Sequence, residues 1–289
     1  MCRFVMYEGP EIDLASLVTR PRNSLVHQSY HSLERREPLN GDGFGLAWYR
    51  HEISPEPALF RSVRPAWNDR NLHHLARVTR SRTVLAHVRA ASHRIPVSEV
   101  NCHPFVAGPF AFMHNGQVAH FPRIRRELLA SLSDESFEVV QGSTDSELLF
   151  AVFLDRWAEA RATDPLERMA EALVAAISQV LARARAHGRT EVSRLNLVVG
   201  NGREAVACRF ADDPDTVPET LYVHTGRRYV CEGDRCRMVE PEAGHDAVLV
   251  SSERLSDDPG WRLVPRDHLV LVDSRRSVTL RPLVPDECG

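Results

Sequence analysis

Cys2 stands directly after Met1, so removal of a single residue would leave a thiol and a free α-amine on one cysteine. A thiol of ordinary pKa about 8.5 is only a few per cent ionised at neutral pH, and an α-amine of pKa roughly 7.7 to 8 can take its proton. The residue would then be nucleophile and base at once, in the way a threonine is activated by its own terminal amine, and cysteine needs less activation than threonine. Position alone is a weak signal, because a cysteine at position 2 also arises by chance.

A cysteine that attacks an amide carbonyl needs donors for the oxyanion and a means of holding the substrate. Three strings in the first half of the chain offer these. In Phe112-Met113-His114-Asn115-Gly116, the Asn115 amide and the unhindered Gly116 N–H can point at one oxygen; read alone, Asn-Gly is a hairpin turn. In His87-Val88-Arg89, the guanidinium can clamp a carboxylate through two parallel hydrogen bonds, or it is simply a surface arginine at a strand end. In Gly142-Ser143-Thr144-Asp145-Ser146-Glu147, Thr144 and Asp145 read as a helix start, and Asp145 as a counter-ion for an ammonium. Arg89 and Asp145 together would recognise both charges of an α-amino acid.

Of the fourteen histidines, His27, His51, His73, His74, His93, His120 and His187 carry no supporting pattern, and no H-E-x-x-H string occurs. His103, within Asn101-Cys102-His103-Pro104-Phe105, is placed to order loops around the site. Cys231 and Cys236 lack a second pair at zinc spacing, so neither a metal nor a cofactor is expected.

These residues must be positioned by regular elements. Cys2 to Tyr7 reads as a strand stopped by a turn at Gly9-Pro10, with further strands at Gly43 to Tyr49, Thr83 to Arg89 and Phe110 to His114. Two long helices follow, Thr144 to Arg161, opened by a capping box with Glu147, and Pro165 to His187. In the second, Leu166, Met169, Leu173, Ile177, Val180 and Leu181 form one apolar stripe. Strands return at Leu195 to Val199, Ala205 to Phe210, Ala247 to Ser251, Leu269 to Val272 and Val278 to Leu280. This order predicts an α+β protein with helices packed on sheets. The loops at Asp212 to Pro218 and Pro241 to His245 are too short for linkers, so one domain over 2–289 is expected.

The 289 residues, 43% of them apolar, can bury a substantial core. No apolar run approaches the roughly 18 residues that span a bilayer, and no signal-peptide pattern opens the chain, so a cytoplasmic protein without membrane contact is expected. Six scattered cysteines argue against a disulfide framework and for reduced thiols. A net charge of -3 offers no footprint for nucleic acid, and Arg123, Arg125 and Arg126 read as a solvated helix face.

In order along the chain, Met1-Cys2-Arg3, Asn40-Gly41-Asp42-Gly43-Phe44-Gly45, His87-Val88-Arg89-Ala90, Asn101-Cys102-His103-Pro104-Phe105, His114-Asn115-Gly116 and Thr144-Asp145-Ser146-Glu147 resemble the class II glutamine amidotransferases. The resemblance implies a four-layer αββα sandwich of the N-terminal nucleophile hydrolase type, with motifs within 2–160 and completing elements in 161–282. It implies Cys2 as nucleophile, Asn115 and Gly116 as the oxyanion hole, and Arg89 and Asp145 as ligands of a glutamyl α-carboxylate and α-amine. Thr144 and His103 join them at the substrate side. Gln28-Ser29-Tyr30, Pro65-Ala66-Trp67-Asn68, Gln141-Gly142-Ser143 and Val250-Ser251-Ser252-Glu253 extend the resemblance to the stand-alone branch. One fungal member of that branch degrades glutathione beside a metallopeptidase-like partner, and another relative is the γ-glutamyl hydrolase of ergothioneine biosynthesis. No ammonia-using second domain is recognisable after Glu191, so γ-glutamyl hydrolysis is expected, with a glutaminase subunit feeding a separate synthase, or an inactive binding protein, as alternatives.

Overall fold

The strand expected to follow Cys2 is, at 11 residues, the longest among the described residues of the computed structural model, which are 2–34, 39–91, 95–240 and 246–285. This strand, β1 (Arg3–Asp13), runs straight through Gly9-Pro10 rather than stopping there. The reason is a register irregularity against its neighbour between Glu8 and Ile12, which relieves Pro10 of the ladder bond that it cannot donate.

Around β1 is built a seven-stranded sheet in the order β13 (Arg262–Leu263), β9 (Tyr222–Gly226), β12 (Ala247–Ser251), β1, β4 (Arg80–Val88), β2 (Phe44–Trp48) and β3 (Ala58–Ser62). A six-stranded sheet has the order β15 (Val278–Pro282), β14 (His268–Val272), β8 (Ala205–Ala211), β7 (Arg194–Gly200), β6 (Phe110–Gln117) and β5 (Phe105–Ala107). All pairings in both sheets are antiparallel. A hairpin of β10 (Arg228–Glu232) and β11 (Arg235–Val239) stands apart from both.

Side-chain alternation along the strands sorts the apolar residues into three layers. Phe4 and Met6 of β1 meet Ala111 and Met113 of β6 between the sheets. Val5 and Tyr7 point the other way, onto α1 (Ala15–Val18), α2 (Leu25–Tyr30) and α3 (Arg70–Val78). Phe112 of β6 points out onto α6 (Asp145–Glu159) and α7 (Pro165–Ala186), beside which pack α4 (Phe121–Ala130) and α5 (Asp134–Val139). The layer order is therefore helix, sheet, sheet, helix, as expected. Met169, Leu173, Ile177, Val180 and Leu181 of α7 are all buried, while Arg123, Arg125 and Arg126 of α4 are exposed.

Two local expectations change. Asn115-Gly116 is not a turn: β6 continues to Gln117, with Asn115 opposite Asn196 and Gly116 opposite Leu195 on β7. Nor are all the thiols reduced. Cys231 and Cys236 face each other across the β10–β11 hairpin and form a disulfide, whereas Cys2, Cys102 and Cys208 are free. The short connection between the two strands puts a cross-strand pair within bonding reach that counting cysteines does not reveal. The Pro241 to His245 loop, His93 and Cys288 lie outside the described residues.

Leu173, fully buried against the six-stranded sheet, tests this layering. Leu173→Ala should lower the unfolding free energy by about 2–5 kcal/mol in urea denaturation, the range for a cavity in a core that cannot collapse.

Candidate active site

Antiparallel pairing sets Arg3, at the start of β1, against Val88, at the end of β4, so the residues just outside those positions become neighbours. Cys2 is half-buried, and its Sγ lies 3.6 Å from the Ala90 carbonyl oxygen. Burial pushes the thiol pKa up, and the charges of Arg89 and Arg3 act against that rise.

Arg3 fastens this end of β1. It is 2% exposed; Nε donates to Glu253 Oε1 at 2.5 Å, Nη1 to the Cys2 carbonyl at 2.8 Å and Nη2 to Ser32 Oγ at 2.8 Å. Glu253 is wholly buried and also accepts from the Ser32 hydroxyl, from Leu33 N at 2.9 Å and from Asn23 Nδ2 at 3.4 Å. Burial alone raises its pKa, but the Arg3 guanidinium and these donors hold it below the ordinary carboxylate value. The backbone is clamped as well, with Phe4 N donating to Ser252 Oγ and Ser252 N to Phe4 O, both at 3.0 Å.

Arg89 continues the ladder beyond β4: its N–H donates to Gly43 O at 2.8 Å, and its carbonyl accepts from Asp42 N at 3.0 Å. Asp42 Oδ2 in turn accepts from Ala91 N at 2.8 Å. Gly43 is obligatory here, since φ is +113° and a Cβ would sit 2.6 Å from Cys102 Sγ. The Arg89 guanidinium is 3% exposed, yet it reaches only the carbonyls of Asp42 and Pro96, each at 3.4 Å. Among the described residues no carboxylate lies within ion-pair distance of it. A buried cation without a counter-ion is costly, and the arrangement is suited to an anion brought from outside.

The two sheets are stitched together at this same end. His87 Nε2 lies 3.2 Å from the His114 carbonyl, and because a carbonyl only accepts, Nε2 carries the proton. His103 stacks on His87 with ring centroids 4.1 Å apart and meets Phe105 edge-on. Burial lowers His87 to about 3, keeps His103 well below the ordinary value and also lowers His114. His114 Nε2–H donates to Arg194 O at 3.2 Å, leaving Nδ1 to face the Ser146 hydroxyl at 2.9 Å.

Directly after His114 comes Asn115, 1% exposed, with both Oδ1 and Nδ2 lacking a hydrogen-bond partner among the described residues. Buried amides are almost always paired, and this one is held with its donor unspent. Gly116 cannot carry a side chain, because a Cβ would fall 1.8 Å from Arg194 O and 2.5 Å from His114 Nε2. Beyond β6, Val118 N donates to Asp145 Oδ2 at 2.8 Å, which ties the start of α6 to the end of the strand. Thr144 caps α6, its Oγ1 accepting from Glu147 N at 3.1 Å. The other half of the expected capping box reaches further back: Glu147 accepts from Gln141 N at 2.9 Å and Gly142 N at 2.8 Å.

Cys2, Arg89, Asn115, Gly116 and Asp145 therefore all lie at one end of the sandwich, while no hydrogen bond joins Cys2 to Asn115 or Arg89 to Asp145 among the described residues. His103 packs beneath His87, and the Thr144 hydroxyl is used by the cap. Sequence reasoning missed two organisers. One is the Arg3–Glu253 pair, separated by 250 positions. The other is Asn101, whose Nδ2 donates to Pro96 O at 3.0 Å and whose Oδ1 accepts from Ser143 N at 2.8 Å, joining the loops that follow Arg89 and precede Asp145. Both lay within strings noted for their resemblance, but nothing local in them announces a long-range bond.

A thiol, an uncompensated guanidinium, an unspent amide and a carboxylate at a helix start are the groups that cysteine-dependent cleavage of an amide on a zwitterionic substrate requires. The family model for glutamine amidotransferases class-II matches residues 18–282. The chain belongs to that family. It is 34% identical over 307 residues to the probable glutamine amidotransferase DUG3 of Saccharomyces cerevisiae, covering 99% of this chain and 85% of that one. It is 29% identical to the gamma-glutamyl-hercynylcysteine sulfoxide hydrolase of Mycobacterium tuberculosis, over 98% of this chain and 97% of the relative. Among solved structures, a glutamine aminotransferase class-II domain protein from Silicibacter pomeroyi superposes with a TM-score of 0.69 at 29% identity, covering 98% of this chain and all of that one.

The buried ionisable groups can be tested in two ways. Glu253→Gln breaks an ion pair while leaving Arg3 buried, and should reduce stability at pH 7 by about 3–5 kcal/mol in chemical denaturation. Below pH 6.5 the unfolded chain takes up protons that His87, His103 and His114 resist when folded, so stability is full above that pH and falls as the pH drops. The limiting slope is about 1.4 kcal/mol per pH unit per histidine, roughly 4 for all three. Calorimetric melting between pH 7.5 and 5.5 checks this, and a flat Tm would show that the histidines titrate normally.

Proposed function

We propose that this chain is a γ-glutamyl amide hydrolase that works through a thioester on Cys2. The observation that carries the reading is that, among the described residues, the buried Arg89 guanidinium has no carboxylate and the buried Asn115 amide at the same end of the sandwich has no partner. In this reading Arg89 takes the α-carboxylate of a glutamyl substrate and Asp145 its α-ammonium. Removal of Met1 exposes the Cys2 amine, which takes the thiol proton as Sγ attacks the side-chain amide carbon. Asn115 Nδ2 and the Gly116 N–H stabilise the resulting oxyanion. The amine hands its proton to the departing nitrogen as the C–N bond breaks, and water then cleaves the thioester to release glutamate.

Arg89 and Asp145 meet only the glutamyl half, so the leaving amine is decided elsewhere. We place it among thiol compounds, with glutathione as the first substrate, in support of which stands the relative that hydrolyses a γ-glutamyl-hercynylcysteine sulfoxide. His103, stacked on His87, positions the strand end that carries Arg89, and Thr144 orients Asp145 through the helix cap. The whole of 2–289 acts as one catalytic domain in the cytoplasm, alone or with a metallopeptidase-like partner. Among the described residues no helix is long and apolar enough to cross a membrane, and no group of three or more His, Cys, Asp or Glu is placed to hold a metal.

The test is glutamate release by protein whose N-terminus, read by mass spectrometry, is Cys2. Glutathione should be cleaved and Cys2→Ala should be inactive. Asn115→Ala should lower kcat by about 10²–10³ with little change in KM, and Arg89→Gln should act mainly by raising KM. Release from glutamine alone would assign the chain to ammonia supply for a separate synthase. Full activity with Met1 retained would overturn the mechanism.

A further inference from the structure

The opposite end of β1 carries a second built site. Glu8 pairs with Thr83 of β4, and six residues of strand at about 3.3 Å each place it roughly 20 Å from Cys2. Its side chain points to the inter-sheet side, as Phe4 and Met6 do, but into a cavity of about 480 Å³ at the edge of that core. This volume falls in the range of small-molecule sites.

Glu8 is 2% exposed, and its Oε1 has no hydrogen-bond partner among the described residues. The surrounding wall is well fastened. Thr83 Oγ1 donates to Gly202 O at 3.0 Å, and His51 Nε2 lies 3.1 Å from the same oxygen. Gly202 itself has φ of +82°, and a Cβ there would strike Tyr49 at 2.4 Å. The Tyr49 hydroxyl shares its one proton between the Pro109 and Gly200 carbonyls, so that proton is not offered to Glu8.

The mouth is basic. Glu11 and Glu52 line it but are paired with Arg80 and Arg50. Arg82, Arg203 and Arg276 also line it, and none of them has a carboxylate within ion-pair distance among the described residues. A buried carboxyl below three guanidiniums that make no ion pair among the described residues matches a ligand with a positive end that enters and a negative end that stays outside.

We propose that this cavity binds a small zwitterion, an α-amino acid or a short peptide, with its ammonium on Glu8 and its carboxylate on Arg82, Arg203 and Arg276. Burial raises Glu8 to about 8, and the nearby Glu204 and Asp273 raise it further while Arg276 opposes them. The empty site thus holds a neutral carboxyl at pH 7. An entering ammonium stabilises the carboxylate, so binding releases a proton from Glu8 to the buffer.

The experiment is calorimetry on the full chain carrying Arg89→Gln, which removes the clamp of the proposed active site, so the outcome does not depend on that reading. L-Glutamate and glycylglycine are the zwitterionic probes, with glutarate lacking the amine and butylamine lacking the carboxylate. We expect saturable binding of at least one zwitterion, a proton released at pH 7 in buffers of different ionisation enthalpy, and a tenfold or greater loss in Glu8→Gln and in Arg276→Ala. Binding of glutamate alone identifies a free amino acid as the ligand; binding of glycylglycine identifies a peptide. Absence of saturable binding, equal binding of glutarate, or an unchanged Glu8→Gln variant would overturn the proposal. Soaking crystals of the unsubstituted chain with both zwitterions gives a test independent of the variants: density against Glu8 supports it, and an empty cavity at saturation refutes it.

Discussion

A buried ion pair between Arg3 and Glu253 holds the N-terminal end of the central strand, and the position of Cys2 depends on it. A residue at a chain terminus is ordinarily the least ordered part of a domain, because only one neighbour tethers it. Here the adjacent guanidinium grips Cys2 by its own carbonyl and anchors it to a carboxylate at the end of β12. Desolvating both charges is expensive, and the four donors gathered on Glu253 offset that expense. The product is a definite place for a sulfur.

From that fixed point the remainder of the site is assembled by strand pairing. Antiparallel β1 and β4 place Arg89 beside Cys2, and the His87 contact to the His114 carbonyl brings the second sheet to the same end. The histidines of this seam are neutral because they are buried, so His87 and His114 serve as hydrogen-bonding groups and His103 as a stacked ring rather than as charges. In their midst lies Arg89, a cation with no carboxylate within ion-pair distance among the described residues. Among the described residues Asn115 Nδ2 finds no acceptor and Arg89 no counter-ion, and unmet demands of this kind are found where a ligand completes them.

The same strand shows the converse at its far end. Among the described residues Glu8 makes no ion pair, and neither do Arg82, Arg203 and Arg276 at the mouth above it. The run of β1 buried from Arg3 to Gly9 thus has Cys2 ahead of Phe4 and Glu8 behind Met6, one polar group at each limit of the inter-sheet core.

Much of this was legible in the sequence. Helix periodicity in 165–187 and the Thr144 cap announced α7 and α6 to within a few residues, because local spacing encodes them. The candidate site residues were named from strings in which each residue type has a distinct chemistry. What no local reading could reach were elements too short for periodicity, such as α1, α2 and β13, and groups whose meaning is a distant partner. Asn115-Gly116 is the clearest case. As a dipeptide it favours a turn, but pairing with Asn196 and Leu195 keeps it in a strand, since ladder bonds to β7 outweigh a local turn preference. Cys231 and Cys236 likewise became a disulfide only once a hairpin set them opposite each other. The sequence by itself determined which chemical groups are present and which long segments are helical; tertiary structure alone decided which groups are left without partners, because satisfaction of a buried charge or amide depends on neighbours up to 250 residues away.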